Sequence, residues 1–151
     1  GIPRKKLNAD VAKVQTQPLT KAETNDTYTD TLLKLLAHPN IRSRENVIRV
    51  YDHEIKGATA VKPLVGVANH GPSDASVLVP NTNSTRGVAL SNGICPQYGE
   101  RDPYAMTFAA VDEAVRNAVA VGADPDRIAI LDNFCWGNPT LPDRLGSLLE
   151  T

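Results

Sequence analysis

The sequence predicts an α+β protein, a two-layer sandwich in which helices cover one face of a mixed or antiparallel sheet. Three or four short β-rich stretches with hairpin-like links occupy the middle of the chain, and helical stretches precede and follow them. A doubly wound nucleotide-binding fold is excluded, because no Gly-x-Gly-x-x-Gly turn and no Gly-Lys-Ser/Thr loop opens a helix.

Composition and charge exclude several classes of function. Of 151 residues, 41% are hydrophobic and the formal net charge is −1, which favours a folded domain without a basic surface for nucleic acid. No apolar run of about 18 residues is present to span a membrane, and the polar N-terminus lacks a signal peptide's apolar segment. Cys95 and Cys135 lack the spacing of a disulfide framework or a zinc site, so we expect a cytoplasmic protein with both thiols buried.

The first third of the chain is expected to pass from an irregular segment into two helices. Residues 1–27 show neither helical nor strand periodicity. Residues 28–37 are predicted to form a helix that ends before Pro39, since a residue preceding proline disfavours helical geometry. A second, short helix is expected at residues 43–51, with Ser43 as its N-cap.

The middle of the chain is predicted to form strands. Residues 59–67 are β-rich but interrupted by Pro63, and they form either two short strands or one edge strand. Residues 75–80 alternate like a half-buried strand, and a hairpin-like link at 81–85 leads to another strand at 87–91.

A long helix is predicted from Asp102 to Val121. Asp102 is a suitable N-cap, Pro103 takes the first helical position, and Gly122 follows the end. One apolar stripe at helical spacing is expected to face the core, and it consists of Tyr104, Phe108, Val111, Val115 and Val119.

The last part of the chain contains a candidate buried strand and a candidate helix. Residues 128–131 are wholly apolar, as expected of a strand buried on both faces. Residues 141–151 begin like a helix without a helix-ending Gly or Pro. Both ends look cut, so we expect a linker at 1–27 and a domain at 28–151 within a longer protein.

Two polar side chains on the long helix could hold a metal ion. Glu113 and Asn117 are four residues apart and therefore lie one turn apart on one face. Oxygen donors in this arrangement suit Mg²⁺. The alternative, which the spacing alone favours, is that both side chains are solvated. The neighbouring Asp112 and Arg116 are also four residues apart, and we expect them to form a surface ion pair.

Two aspartates stand where predicted strands begin or end. Asp74 follows a Gly-Pro-Ser turn and either reaches a site at the sheet edge or caps the turn. Asp132 follows the candidate buried strand, at the kind of position where ligands collect in sheet proteins. It could accept hydrogen bonds from an adenine amine or a ribose, or hold a metal. Alternatively, residues 132–139 form a tight turn with Trp136 as a lid over the core.

Six short motifs follow one another along the chain: Tyr51-Asp52-His53-Glu54, Thr59-Ala60-Val61-Lys62-Pro63, Gly71-Pro72-Ser73-Asp74-Ala75, Asp102-Pro103-Tyr104, Asp112–Pro125 and Asp132-Asn133-Phe134-Cys135-Trp136-Gly137-Asn138-Pro139. Each motif alone is a weak signal. The ordered set resembles phosphoribosylformylglycinamidine synthase, the glutamine-dependent synthetase of purine biosynthesis. The resemblance covers the chain from about residue 28 to its end.

The resemblance implies the ATP-binding domain of the aminoimidazole-ribotide-synthetase family, in the second of two copies that pair in one chain. It implies that Asp132 contacts the active-site ATP. It also implies that Asp74, Glu113 and Asn117 hold Mg²⁺ on an auxiliary nucleotide. The implied partners are the remaining domains of the same synthetase chain and a glutaminase subunit or domain.

Essential parts of the family's active site have no counterpart in this chain. The family's Ser-His-Asn-His segment, which carries the catalytic histidine, lies in the first copy, and its Gly-Gly-Asn segment lies further downstream. None of the three histidines, His38, His53 and His70, matches the catalytic one. We therefore expect the chain to be inactive alone and to form homodimers through unpaired apolar surface. The alternative is a scaffold domain without a ligand of its own.

Overall fold

The computed structural model describes residues 6–11, 25–50, 52–53 and 56–151, and within them it confirms the α+β class. The helices are α1 (Tyr28–Ala37), α2 (Glu45–Ile48), α3 (Pro96–Gly99), α4 (Pro103–Ala120) and α5 (Pro142–Glu150), with a 3-10 turn at Pro125–Arg127. The strands are β1 (Thr59–Val61), β2 (Leu64–Val65), β3 (Gly71–Pro72), β4 (Ser76–Leu78) and β5 (Val88–Leu90). Most of the predicted linker lies outside the described residues.

The strands form two small antiparallel sheets. A three-stranded sheet has the order β1-β4-β5, and β2 pairs with β3. Strands β1 and β2 are separate and flank Pro63, so of the two alternatives that the sequence left open the structure has the two short strands. Strand β3 was not predicted, because its Gly71-Pro72 sequence is typical of a turn.

The helix ends follow local sequence signals. Helix α1 has the predicted bounds, and the side chain of Thr27 accepts from the Asp30 N–H at 3.1 Å. Helix α2 is shorter than predicted, although the Ser43 hydroxyl still accepts from the Glu45 N–H at 3.2 Å. Helix α4 begins at Pro103 as predicted, and Gly122 follows it with a φ of 95°, which favours glycine.

Asp102 caps α4, because its carboxylate accepts from the Ala105 N–H at 2.9 Å. We expect Asp102→Ala to remove about 1 kcal/mol of helix stability. In a peptide of residues 100–123, Asp102→Ala should weaken the helical signal at 222 nm in the circular dichroism spectrum relative to the unchanged peptide. Asp112→Ala in the same peptide is the control and should change little, since Asp112 makes only an exposed ion pair with Arg116. Equal helicity of both variants would contradict the cap.

Two packing predictions are wrong. Residues 128–131 form no strand, and Leu131 is 93% exposed, because no described strand lies beside this segment to share its hydrogen bonds. On α4 the apolar stripe is largely exposed, including Tyr104 and Phe108. The buried residues of α4 are instead Pro103, at its start, and Ala118.

The described part of the chain has a very small buried core. Among the described residues, only Leu64, Ala75 and Ala118 are buried hydrophobic residues. The chain exposes 13043 Å², whereas a folded monomer of this mass exposes about 7,500 Å². No helix in the described part is long and apolar enough to cross a membrane.

This exposed apolar surface should drive self-association of the isolated chain. We expect light scattering to show a mass above 16.2 kDa that rises with concentration. Replacement of Phe108 and Val119, both exposed on α4, by Ser should lower that mass. A monomer at high concentration would contradict this expectation.

Candidate functional site

The segment that leaves β5 lies along α4 and brings polar groups to the helix face that carries Glu113 and Asn117. We call residues Ser91–Cys95 the clamp loop. The Ser91 hydroxyl donates to the Ala114 carbonyl oxygen at 2.7 Å. A Cβ added to Gly93 would collide with the Ala110 carbonyl oxygen and lie 2.9 Å from the Ala114 nitrogen. Only glycine therefore permits this close approach of loop and helix.

The clamp loop contacts both predicted metal ligands of α4. Glu113 Oε2 accepts from the Ile94 N–H at 3.0 Å and from the Cys95 thiol at 3.5 Å. The Asn117 Nδ2 donates to the Asn92 carbonyl oxygen at 3.1 Å. The side chains are thus held by the loop, which sequence reasoning missed because its partners lie 18 to 25 residues away in the chain.

The two cysteines differ from the buried pair that the sequence suggested. Cys95 is half-buried, whereas Cys135 is exposed, so the buried interpretation is wrong for Cys135. Burial raises the pKa of the Cys95 thiol, and the hydrogen bond to Glu113 and that residue's negative charge raise it further. Cys95 therefore remains a protonated donor at neutral pH, and it is a poor nucleophile.

The donor atoms of this face fit a magnesium ion bound together with phosphate. Among the described residues, neither Glu113 Oε1 nor Asn117 Oδ1 makes a hydrogen bond, so each side chain keeps one oxygen for a ligand. The described residues contain no group of three His, Cys, Asp or Glu that could hold a metal. Mg²⁺ usually takes only one or two protein ligands and completes its shell with water and phosphate oxygens.

Asp74 lies exposed between β3 and β4. The turn's hydrogen bonds come from Ser73, whose N–H donates to the Pro63 carbonyl oxygen at 2.9 Å and whose hydroxyl donates to the Ala75 carbonyl oxygen at 2.9 Å. Ser73 thus takes the capping role considered for Asp74. The Asp74 carboxylate has no hydrogen-bond partner in the described part of the chain.

Asp132 also lies exposed, at the start of a segment anchored to α5. The indole N–H of Trp136 donates to the Arg144 carbonyl oxygen at 3.1 Å and to the Ser147 hydroxyl at 3.2 Å. The ring of Phe134 meets the indole edge-on at 6.2 Å. Trp136 therefore fixes the segment against α5 and is not a lid over the core, while Asp132 carries no hydrogen bond to another described residue.

Two open clefts lie away from these residues. A cleft of about 430 Å³ between α3 and α4 is lined by Gln97, Tyr98, Arg101, Asp102 and Ala105. A cleft of about 120 Å³ includes His53, whose Nε2 lies 2.7 Å from the Ile48 carbonyl oxygen. That contact supports a structural role for His53.

Comparison with known proteins finds similarity to the phosphoribosylformylglycinamidine synthase subunit PurL of several organisms. The chain is 38% identical to that of Picrophilus torridus over 128 residues, or 84% of this chain and 17% of the relative. It is 44% identical to that of Methanocaldococcus jannaschii over 119 residues, which are 79% of this chain and 15% of the relative. It is 34% identical to that of Thermoplasma acidophilum over 143 residues, which are 94% of this chain and 18% of the relative.

No family model matches the chain, and no solved structure does. The chain spans less than a fifth of the length of these relatives.

Proposed function

Since the chain belongs to the phosphoribosylformylglycinamidine synthase family, we propose that it is part of a cytoplasmic synthetase that amidates formylglycinamide ribonucleotide in purine biosynthesis. The whole enzyme would use ATP and ammonia from glutamine. Its partners would be the remaining domains of the same chain and a glutaminase subunit or domain. Within this enzyme the chain would be the second nucleotide-binding domain, at residues 28–151, preceded by a linker at 1–27.

One observation carries the proposal: the similarity to PurL extends over most of the chain, at 34% to 44% identity in three relatives. Identity at this level over 119 to 143 residues supports a common fold. The exposed carboxylates of Asp74 and Asp132 are consistent with this role, because neither makes a hydrogen bond to another described residue.

Asp132 would form one wall of the ATP site. Its exposed carboxylate can accept hydrogen bonds from the nucleotide, and the Trp136 anchor on α5 holds its segment in place. Transfer of the γ-phosphoryl group to the formyl-amide oxygen, followed by displacement of phosphate by ammonia, depends mainly on positioning and charge neutralisation. The Asp132 carboxylate, held in place, would contribute to the positioning of ATP.

Asp74, Glu113 and Asn117 would hold Mg²⁺ on an auxiliary nucleotide. When bound, the ion neutralises phosphate charge. The side chains supply oxygen donors, and the free Oε1 of Glu113 and Oδ1 of Asn117 suit this task.

A second candidate function is a scaffold domain without a ligand of its own. The observation that favours it is the clamp loop, because Glu113 and Asn117 already have structural hydrogen bonds. In that case both side chains serve only to join the loop to α4.

We call the longer synthetase chain, of which this chain would be a part, the full-length polypeptide. Its calorimetric titration with Mg·ATP distinguishes the two candidates. We expect two nucleotide equivalents in the wild type and one in Glu113→Ala and Asn117→Ala. Asp112→Ala is the matched control on the same helix and should bind two, because its side chain pairs only with Arg116. One nucleotide equivalent bound by the wild type and by every variant would reject the auxiliary site and favour the scaffold.

A further inference from the structure

We propose that the clamp loop is the positioning element of the magnesium site, and that it aims one oxygen each of Glu113 and Asn117 at the ion. This inference rests on the proposed metal role of these two side chains. The loop holds the opposite atom of each: Oε2 of Glu113 and Nδ2 of Asn117.

The contact at Asn117 fixes the orientation of its amide. The Asn92 carbonyl oxygen can only accept, so Asn117 must present its NH₂ group to the loop at 3.1 Å. Its Oδ1 then faces the other way. Without the loop, rotation of the amide would present the donor to a cation in part of the population.

The contacts at Glu113 fix its carboxylate in a similar way. Two donors, the Ile94 N–H at 3.0 Å and the Cys95 thiol at 3.5 Å, meet the same oxygen, Oε2. Hydrogen bonds of this kind restrict the side chain and leave Oε1 as the ligand oxygen. Groups that orient metal ligands typically change metal affinity by about 10- to 100-fold when they are removed.

Gly93 makes these contacts possible without offering a polar side chain itself. Any Cβ at this position would collide with the Ala110 carbonyl oxygen, one turn before Ala114 on the same helix. A larger residue would therefore lift the loop and release both side chains. Gly93 and Cys95 are positioning residues in this account, since neither supplies a metal ligand.

The test is Mn²⁺ binding to the full-length polypeptide in the presence of ADP, with free Mn²⁺ measured by electron paramagnetic resonance. The wild type should show one site that Glu113→Ala removes. We expect Gly93→Val to weaken this site by about 10- to 100-fold and Cys95→Val by several-fold. Cys95→Ser keeps a donor to Glu113 and should bind like the wild type, which a role in packing alone would not predict.

The outcomes separate this inference from the proposed function. If Glu113→Ala removes no site, the metal assignment fails and the positioning role fails with it. If Glu113→Ala removes a site but Gly93→Val and Cys95→Val bind like the wild type, only the positioning role is overturned. Because Cys95→Val is a mild substitution at a half-buried position, the test remains decisive even if Gly93→Val does not fold.

Discussion

The isolated chain of 151 residues, supplied with formylglycinamide ribonucleotide, Mg·ATP and ammonia, will form no measurable product. The described part buries only three hydrophobic residues, so it cannot hold a phosphoryl-transfer site in a fixed geometry. Asp132 is exposed and makes no hydrogen bond to another described residue. Catalysis that depends on positioning should be lost entirely under these conditions.

The measurement is product formation followed by mass spectrometry, with the PurL subunit of Methanocaldococcus jannaschii as the positive control in the same assay. We expect a rate at least about 1,000-fold below that control, because loss of positioning alone accounts for factors of this size or larger. Turnover that purifies with the isolated chain and disappears in its Asp132→Ala variant would show that all essential groups are present.

Asp132→Ala in the full-length polypeptide should lower kcat/KM for ATP by about 10- to 100-fold. A hydrogen bond to a charged group contributes about 1.5–3 kcal/mol, and each 1.4 kcal/mol corresponds to a factor of ten. The loss should be confined to the nucleotide, so KM for the ribonucleotide should change little. Steady-state kinetics with each substrate varied in turn measures both effects.

Asp126→Ala is the matched control for this substitution. Asp126 is also exposed, lies six residues earlier in the 3-10 turn, and uses its backbone N–H in the turn. The control should retain wild-type kinetics. Unchanged kcat/KM for ATP in Asp132→Ala would remove Asp132 from the nucleotide site.

The parts of the fold that the sequence predicted are those that local interactions determine. The bounds of α1 and the cap of α4 depend on side chains within three or four residues of the helix end, such as Asp102 and Pro103. The break at Pro63 is equally local, because proline lacks the N–H that a continuous strand would donate.

The wrong predictions concern features that depend on distant neighbours. A strand at 128–131 needs a second backbone beside it, and the described residues provide none. The stripe of Tyr104 and Phe108 has the right spacing for a core, yet it is Ala118 that is buried. Periodicity identifies an amphipathic helix, but it does not show what packs against the apolar face of that helix.

The candidate site was predictable in part. The i, i+4 spacing places Glu113 and Asn117 on one face, and the structure brings the same loop to both. The clamp loop itself was not predicted, because Asn92 and Ile94 contribute only backbone atoms, which carry no signature in the sequence. A glycine between a strand and a helix, at Gly93, was the available signal for a close backbone approach.

The central claim is that this chain belongs to an enzyme that amidates formylglycinamide ribonucleotide. Its most direct test is the amount of product, ADP and phosphate formed by the full-length polypeptide from the ribonucleotide, Mg·ATP and ammonia. We predict equal amounts of all three. A folded full-length polypeptide that forms no amidine, while the Methanocaldococcus jannaschii PurL subunit forms it in the same assay, would contradict the claim.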